Sequence, residues 1–339
     1  MRIFVTGING FIGRHLLSAM LAETDWEISG FDIASDNVEK FAENPRFSFR
    51  KGDLFEEGGF IESEVAKADV VLPLAGIAKP AYYIKKPLWT FELDFEQNLK
   101  IVRMCAKHGR RVIFPSTSEV YGMSGGELKE DESPLTVGPI AKTRWIYSCS
   151  KQMMDRMIFA YGQEKGLQFS IFRPFNWVGP GLDTFADAAE RRARLVTQMI
   201  YDMAHRREIT LVNGGSQRRC FTWIGDGVAG LLAVIRNEKG RADCEIFNIG
   251  NPANNYSVRE TAELLLDEAK KFPQFRKAAE ATRLVSVPGD EYYGASYDDM
   301  PYRAPSVEKM ARRLGWKPKT EMRELLRRTL GYFAEGGER

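Results

Sequence analysis

The chain has 339 residues, 44% of them hydrophobic and 28% charged, a composition typical of a globular protein with a sizeable core. Its 48 basic and 46 acidic residues give a net charge of +2, so composition predicts no partnership with nucleic acid or an anionic membrane. Four cysteines and three histidines lie far apart in the sequence, which argues against a disulfide framework, a metal site or a Ser-His-Asp triad.

The first predicted strand, residues 2–6, begins almost at the first residue. This start leaves no room for a signal peptide, and no run of roughly eighteen apolar residues occurs along the chain. We therefore expect a cytoplasmic protein that does not insert into a membrane.

Short apolar strands alternate with amphipathic helices through the first half of the chain. The predicted strands are residues 2–6, 26–32, 47–50, 68–73, 111–115 and 169–173, and the clearest predicted helices are 11–22, 88–107 and 145–162. This alternation is typical of a parallel sheet that helices cover on both faces. The sequence predicts an α/β fold with a Rossmann-like, doubly wound parallel sheet.

The alternation stops after about residue 175, where glycine-rich loops at 179–181 and 213–215 separate further helices. Residues 245–250 have the pattern of one more core strand that returns to the sheet. We predict a Rossmann domain over residues 1–175, completed by about 220–250. A smaller, discontinuous substrate-binding region would comprise residues 176–219 and 251–339.

A glycine pattern, G-x-x-G-x-x-G at residues 7–13, lies directly between the first strand and the first helix. Such glycines let the backbone approach a pyrophosphate at the helix N-terminus, although a structural turn alone can also require glycine. Asp32 ends the second strand, where a carboxylate binds a ribose 2′-hydroxyl and repels a 2′-phosphate, and no arginine follows at 33–36. The pattern predicts NAD as cofactor. The predicted cofactor contacts here are Gly7, Gly10, Phe11, Ile12, Gly13, Asp32 and Asp53, with an ordinary loop aspartate as the alternative for Asp53.

Tyr147 and Lys151 are spaced as Tyr-x-x-x-Lys within the predicted helix 145–162, so both side chains lie on one helix face. An ammonium near a phenol favours the phenolate, which predicts a lowered tyrosine pKa and a base able to take a proton from an alcohol. The same two residues would also contact the cofactor. A tyrosine that packs on a lysine stem at the surface is the alternative.

Ser118 and Glu119 follow the fifth strand, at the edge where ligands bind in such sheets. We predict that Ser118 orients a sugar hydroxyl, and that Glu119 takes part in chemistry beyond hydride transfer. The alternatives are a serine that caps a turn and a glutamate in solvent.

At these motifs the chain resembles the extended short-chain dehydrogenases, and among them the UDP-glucuronate decarboxylases, in particular the C-terminal decarboxylase domains of the bifunctional polymyxin-resistance enzymes. The most specific stretches are FPSTSEVYGM at 114–123, RWIYSCSK at 144–151, FRPFNW at 172–177 and RCFT at 219–222. The resemblance extends over essentially the whole chain.

The resemblance implies NAD, a UDP-sugar substrate and oxidation at C4, with Tyr147 and Lys151 as the dehydrogenase pair. It also implies that Glu119 is the proton acceptor in decarboxylation and Arg303 the general acid. Substrate contacts would come from Ala78, Tyr83, Thr117, Ser118, Arg144, Asn176, Arg194, Arg219 and Tyr297. The chain departs from the family pattern at Thr210, where relatives have lysine, and at Lys79, where they have threonine and where the amine could face the sugar carboxylate.

The predicted reaction is therefore NAD-dependent oxidative decarboxylation of UDP-glucuronate to a UDP-4-keto-pentose, UDP-xylose, or both. A sugar-nucleotide 4-epimerase or 4,6-dehydratase is the alternative enzyme, although dehydratases usually carry Asp-Glu where this chain has Ser118-Glu119. A non-catalytic NAD-binding protein is a further alternative. The resemblance also implies a homodimer formed by helices 88–107 and 145–162.

Overall fold

The computed structural model describes residues 1–293 and 302–337. The strands are β1 (Arg2–Thr6), β2 (Glu27–Asp32), β3 (Phe47–Lys51), β4 (Val70–Pro73), β5 (Arg111–Pro115), β6 (Glu127–Leu128), β7 (Phe169–Pro174), β8 (Trp177–Val178), β9 (Glu208–Val212), β10 (Arg218–Cys220), β11 (Thr222–Trp223), β12 (Glu245–Ile249), β13 (Asn255–Ser257), β14 (Arg283–Val287) and β15 (Ala304–Pro305).

The α-helices are α1 (Phe11–Glu23), α2 (Gly58–Lys67), α3 (Pro80–Lys85), α4 (Pro87–Phe91), α5 (Asn98–His108), α6 (Trp145–Lys165), α7 (Phe185–Ala189), α8 (Leu195–Tyr201), α9 (Ile224–Arg236), α10 (Val258–Ala269), α11 (Arg276–Ala281), α12 (Gly289–Tyr293), α13 (Glu308–Leu314) and α14 (Met322–Ala334). Two π-helical segments, Glu92–Gln97 and Asp202–Arg206, follow α4 and α8.

One seven-stranded sheet organises the chain, in the order β12-β7-β5-β4-β1-β2-β3, and all its pairings are parallel. The chain winds outward from β1 through β2 to β3, then returns to β4 on the other side of β1. Such a reversal opens a crevice beyond the carboxyl ends of the neighbouring strands, where ligands bind in sheets of this kind. The predicted fold class is confirmed.

Helices cover both faces of the sheet because successive strand residues point to opposite faces. In β1, Ile3 and Val5 belong to a buried cluster with residues of α1 and α9. Phe4, between them, belongs to a second cluster with residues of α2, α5 and α6. Burial on both faces explains why the strands are continuously apolar in sequence.

The second half of the chain builds a further apolar cluster beside the sheet, from helices that include α8, α10 and α14. Strands β9 and β14 pair in parallel at this cluster. Phe11, at the start of α1, packs partly buried against both this cluster and the sheet, so the start of the first helix lies where the two cores meet. No helix of the described ranges is long and apolar enough to cross a membrane.

The observed bounds match the predicted ones for β1 and β5 and differ by at most three residues elsewhere, except in the predicted helix 88–107. That segment is divided into α4, the π-helical turn Glu92–Gln97 and α5. Helix α6 extends to Lys165 and ends at Gly166, whose φ of 67° allows the left-handed cap.

Candidate functional site

A cavity of about 1460 Å³ lies beyond the carboxyl ends of the central strands. The glycine turn before α1 lines one part of it, and residues from the second half of the chain line another. Of the predicted site residues, it is lined by Gly7, Gly10, Phe11, Ile12, Gly13, Ala78, Tyr83, Thr117, Ser118, Glu119, Arg144, Tyr147, Asn176, Arg194, Arg219 and Arg303. The fold thus brings together most of the residues that the sequence singled out.

The glycine turn leaves no room for side chains at two of its three glycines. Gly7 has a φ of 74°, and a Cβ there would lie 2.4 Å from the backbone nitrogen of Ala75. A Cβ on Gly13 would lie 2.5 Å from the carbonyl oxygen of Gly7. Helix α1 then begins at Phe11 without a side-chain cap at Gly10, so its first N–H groups face the cavity and suit a pyrophosphate.

Asp32, at the end of β2, accepts hydrogen bonds from the backbone N–H groups of Asn9 at 2.9 Å and Ala34 at 3.3 Å. Burial raises the pKa of Asp32, and these backbone hydrogen bonds oppose the increase. Asn9 also donates to Asp36, which lines the cavity. Two neighbouring carboxylates suit a ribose 2′-hydroxyl and repel a 2′-phosphate, so this end of the cavity fits NAD.

Asp32 and Asp53 themselves are not among the cavity-lining residues. Asp32 accepts the backbone N–H of Asn9, a residue that lines the cavity, whereas Asp53 accepts the backbone N–H of Phe55 at 3.0 Å and so caps its own turn. A contact from Asp53 to the cofactor therefore stays a prediction.

Tyr147 and Lys151 lie on the face of α6 that packs towards the sheet, and both are buried. The ammonium of Lys151 donates to the carbonyl of Pro115 at 3.1 Å and pairs with Oδ1 of Asp94 at 3.2 Å. The ring of Tyr147 stacks on Tyr83, with ring centroids 4.3 Å apart and planes at 5°. The predicted pair therefore lies at the cavity, with Tyr147 lining it and Lys151 beneath.

The expected lowering of the Tyr147 pKa is wrong for this arrangement. Burial raises the pKa of Tyr147, and the carboxylates of Asp94 and Glu119 raise it further, whereas hydrogen bonds with Thr117 and Tyr83 lower it. The main physical reason is burial, because a phenolate away from water is costly, and the carboxylates of Asp94 and Glu119 add to that cost.

Ser118 and Glu119 begin a short 3₁₀ turn after β5, capped by the hydroxyl of Thr117, which accepts the backbone N–H of Glu119 at 3.2 Å. Arg144 donates to Glu119 at 2.9 Å, and Arg303 lies 3.5 Å from the other carboxylate oxygen and 3.4 Å from the Ser118 hydroxyl. These residues are far apart in sequence, and the fold places them in one cluster.

Glu119 is held as a carboxylate. Burial alone would raise its pKa, but the guanidinium groups of Arg144, Arg303 and Arg219 more than offset that effect, so the pKa of Glu119 is lowered. An ionised Glu119 can accept a proton or a hydrogen bond, and it cannot serve as an acid at neutral pH.

Two arginines of the second half of the chain also reach the cavity. Arg194 immediately precedes α8 and pairs with Asp183 at 2.9 Å, and its guanidinium lies over the ring of Phe11. Arg219 lies in β10, and Asn176 nearby adopts a φ of 39° and donates to the carbonyl of Cys220. The remaining predicted contact, Tyr297, lies outside the described residues.

Lys79 lines the cavity, and its ammonium pairs with Asp187 at 2.8 Å and with Asp183 at 3.8 Å. Lys79 therefore joins the loop after β4 to the second half of the chain, and its charge is already engaged by carboxylates. Thr210, the other departure, lies in β9 and also lines the cavity.

Sequence reasoning missed Asp94 and Asp183, which hold Lys151 and Arg194. The helical pattern of 88–107 contains several acidic residues and gives no sign of which one faces inward. For Asp183, the only sequence signal is its place in the loop between Gly181 and the basic run at 191–194. Within the described part of the chain, no cluster of three or more His, Cys, Asp or Glu side chains could hold a metal ion.

Comparison with known proteins agrees with this geometry. The profile of the NAD dependent epimerase/dehydratase family matches residues 3–250. The PbgP3 protein from Burkholderia pseudomallei is 43% identical, with a TM-score of 0.89, and the match covers 99% of this chain and 96% of that one.

Two more distant structures share the fold. A UDP-glucose 4-epimerase from Thermotoga maritima, with UDP-glucose, is 22% identical with a TM-score of 0.81, over 99% of both chains. A UDP-glucuronic acid 4-epimerase from Bacillus cereus, in complex with UDP-glucuronic acid and NAD, is 21% identical with a TM-score of 0.80, also over 99% of both chains. The chain belongs to the NAD dependent epimerase/dehydratase family, and its cofactor is NAD.

Proposed function

We propose that this protein catalyses the NAD-dependent oxidative decarboxylation of UDP-glucuronate. The observation that carries the proposal is the buried cluster in which Arg144 and Arg303 hold the Glu119 carboxylate beside Ser118. Forked guanidinium donors suit the carboxylate and diphosphate of such a substrate. An ionised Glu119 at the same cavity as Tyr147 supports a second chemical step after oxidation.

In the first step, Tyr147 removes the proton of the C4 hydroxyl, and bound NAD supplies the acceptor for the C4 hydride. Ser118 orients the hydroxyl, and Lys151 stabilises the charge that develops on oxygen. Tyr147 acts as the base only as its phenolate, which the Lys151 ammonium favours and which burial and the carboxylates of Asp94 and Glu119 disfavour.

Oxidation makes decarboxylation possible. The C4 ketone lies β to the carboxylate on C5, so the electrons of the breaking carbon–carbon bond pass into an enolate as CO2 leaves. The negative charge of Glu119 beside the sugar carboxylate favours its departure as neutral CO2. Arg303 then donates a proton to C5, and the product is a UDP-4-keto-pentose, or UDP-xylose if the hydride returns to C4.

The alternatives are 4-epimerisation, the activity named for the Thermotoga maritima and Bacillus cereus structures, and 4,6-dehydration. Neither reaction uses a base beside an arginine to release CO2, and Ser118 stands where the dehydratases usually carry an aspartate. Decarboxylation is the reaction that gives every member of the cluster a role.

The test is to incubate the purified protein with NAD and UDP-glucuronate while following CO2 release, NADH absorbance and product mass. We expect CO2 release. The product mass should be lower by CO2 for UDP-xylose, and lower by CO2 and two hydrogens for the UDP-4-keto-pentose, whose formation also yields NADH. A product of unchanged mass would indicate epimerisation, loss of water would indicate dehydration, and no turnover of any UDP-sugar would indicate a non-catalytic protein. Tyr147→Phe should abolish NADH formation, whereas Tyr161→Phe on the same helix should not.

We also propose a homodimer. Helix α4 packs beside α6, and both carry exposed apolar side chains: Leu88 is 77% exposed, and Met153 and Phe159 are each 46% exposed. Burial of such side chains against a second copy is favourable.

A further inference from the structure

Lys79 lies at the wall of the cavity with a restricted backbone and a mobile type of side chain. It precedes Pro80, the first residue of α3, and its φ of −102° and ψ of 118° are extended. A residue before proline is confined to such conformations, so Lys79 does not continue the helix. Its side chain is 27% exposed, and the flexible stem of a lysine lets the ammonium turn within the cavity.

The closer carboxylate partner of this ammonium is Asp187. Nζ of Lys79 lies 2.8 Å from Oδ2 of Asp187 and 3.8 Å from Oδ1 of Asp183. Asp183 is already engaged by Arg194, since it accepts the backbone N–H of that residue at 2.7 Å and Nη2 at 2.9 Å. The contact with Asp187 is therefore the one that holds the ammonium in place.

Asp187 does not depend on Lys79 for its hydrogen bonds. It is the third residue of α7 and forms a capping box with Thr184, accepting the backbone N–H of Thr184 at 3.3 Å and its hydroxyl at 3.2 Å. Nε of Arg192 lies 3.7 Å from the other carboxylate oxygen. If the ammonium turns away, Asp187 keeps these partners, so no carboxylate is left buried without a hydrogen bond.

The exchange of Asp187 for an acidic ligand is therefore favourable on two grounds. An ion pair of a partly exposed lysine contributes little net free energy, because water screens it. A ligand that fills the cavity excludes water, which strengthens a charge-assisted hydrogen bond from the same ammonium to a phosphate or carboxylate oxygen.

We propose that Lys79 is a specificity-determining residue for acidic nucleotide sugars: its ammonium leaves Asp187 when the substrate binds and contacts an anionic oxygen of the diphosphate or of the sugar carboxylate. This inference rests on the proposed function in that the substrate is a UDP-sugar. The alternative is a strut, in which the Lys79–Asp187 pair only joins the loop after β4 to α7.

The test compares Lys79→Met with Asp187→Asn in the NAD-loaded protein, by calorimetric titration with UDP-glucose and UDP-glucuronate. Lys79→Met should weaken the binding of UDP-glucuronate roughly tenfold, because a charge-assisted hydrogen bond is lost. Asp187→Asn should bind it at least as tightly as the wild type, because the ammonium no longer has to leave a carboxylate. Lys86→Met, at an exposed lysine outside the cavity, is the control and should have wild-type affinity.

The two ligands identify the acidic group. Weaker binding of both in Lys79→Met assigns Lys79 to the diphosphate, and weaker binding of UDP-glucuronate alone assigns it to the sugar carboxylate. Unchanged affinity of Lys79→Met for both ligands would overturn the proposal. An equal loss of affinity in Lys79→Met and Asp187→Asn would also overturn it, because that result is the one expected of a strut.

High salt separates a direct contact from a long-range effect of the lysine charge. At about 1 M salt the screening length is only about 3 Å, so interactions over longer distances are largely lost. The affinity difference between the wild type and Lys79→Met should persist there at reduced size. A difference that disappears at high salt would contradict a direct contact.

These readouts separate the two proposals. CO2 release from UDP-glucuronate with unchanged affinity in Lys79→Met would contradict only the role of Lys79. Weaker binding in Lys79→Met, when the wild-type protein releases no CO2, would contradict only the decarboxylation. No binding of either ligand by the wild-type protein would contradict both.

Discussion

Nη2 of Arg144 lies 2.9 Å from Oε2 of Glu119, and this ion pair joins the start of α6 to the turn after β5. Arg144 is only 2% exposed, so the pair lies away from water and depends strongly on both partners. It links the helix that carries the dehydrogenase tyrosine to the carboxylate that we assign to decarboxylation.

Glu119→Gln keeps the shape of this side chain and removes its charge. We expect CO2 release to fall roughly 100-fold, because the negative charge that favours departure of the sugar carboxylate as CO2 is lost, while NAD binding is retained. The measurement is CO2 release alongside NAD affinity, with Glu127→Gln, at an exposed residue of β6, as control. Wild-type CO2 output from Glu119→Gln would remove its proposed role.

The arginines around Glu119 also predict a pH dependence. Because the pKa of Glu119 is lowered from its ordinary value of 4.5, its protonation should not limit CO2 release until the pH falls below that value. Arg144→Met takes away one of the guanidinium groups that lower the pKa, so the acid limb of the profile should move to higher pH. A profile with the same acid limb in both proteins would show that Glu119 does not control it.

Gly7→Ala tests the glycine turn. Its Cβ would meet backbone at 2.4 Å in addition to an unfavourable φ of 74°, so we expect loss of NAD binding and a lower free energy of unfolding. Gly109→Ala is the matched control, since its φ is 62° but nothing lies within 4 Å of the new Cβ. Gly109→Ala should lower the free energy of unfolding by about 1–2 kcal/mol and leave NAD binding unchanged. Calorimetry with and without NAD measures the stability and the NAD binding of both variants. Equal results for Gly7→Ala and Gly109→Ala would contradict the close approach of the backbone at Gly7.

Asp32→Asn should weaken NAD binding roughly tenfold or more, because hydrogen bonds to a charged acceptor become hydrogen bonds to an amide. Its preference for NAD over NADP should also decrease, since one of the two carboxylates that repel a 2′-phosphate is lost. Titration with both cofactors measures this, with Asp69→Asn as control at the amino-terminal edge of the sheet. Unaltered NAD affinity and preference would exclude a ribose contact at Asp32.

A double substitution of Leu88 and Met153 to glutamate tests the dimer. Charges on this apolar face would be buried without partners, so we expect a monomer at concentrations where the wild-type protein is dimeric. Sedimentation or light scattering measures the mass. Phe55→Glu, at an exposed aromatic residue of another surface, should remain dimeric. A monomeric wild-type protein would contradict the proposed homodimer.

The sequence was most informative where local geometry determines chemistry. The glycine turn, Asp32 at a strand end and the Tyr147–Lys151 spacing each follow from a short motif on one element, and the structure places them near the same crevice. The cluster of Glu119 with Arg303 was predicted from resemblance alone, because nothing in the local sequence of Arg303 indicates that it reaches the turn after β5.

The parts that could not be predicted depend on contacts between distant elements. The apolar pattern of residues 88–107 indicates a regular helix, and the π-helical turn that directs Asp94 towards Lys151 becomes evident only in the packed structure. The predicted direction of the Tyr147 pKa shift was wrong mainly because the burial of its phenol arises from the packing of distant elements and not from the Tyr-x-x-x-Lys spacing. Lys79 likewise gave no sign of its partners, since Asp187 lies more than a hundred residues away.

The pairing of β12 with β7 has a consequence for synthesis on the ribosome. Strand β7 emerges from the ribosome long before β12. The chain between them includes residues that belong to the neighbouring apolar cluster. Until β12 arrives, the nascent protein exposes an unpaired β7 edge, which is the kind of surface that recruits chaperones or joins other chains.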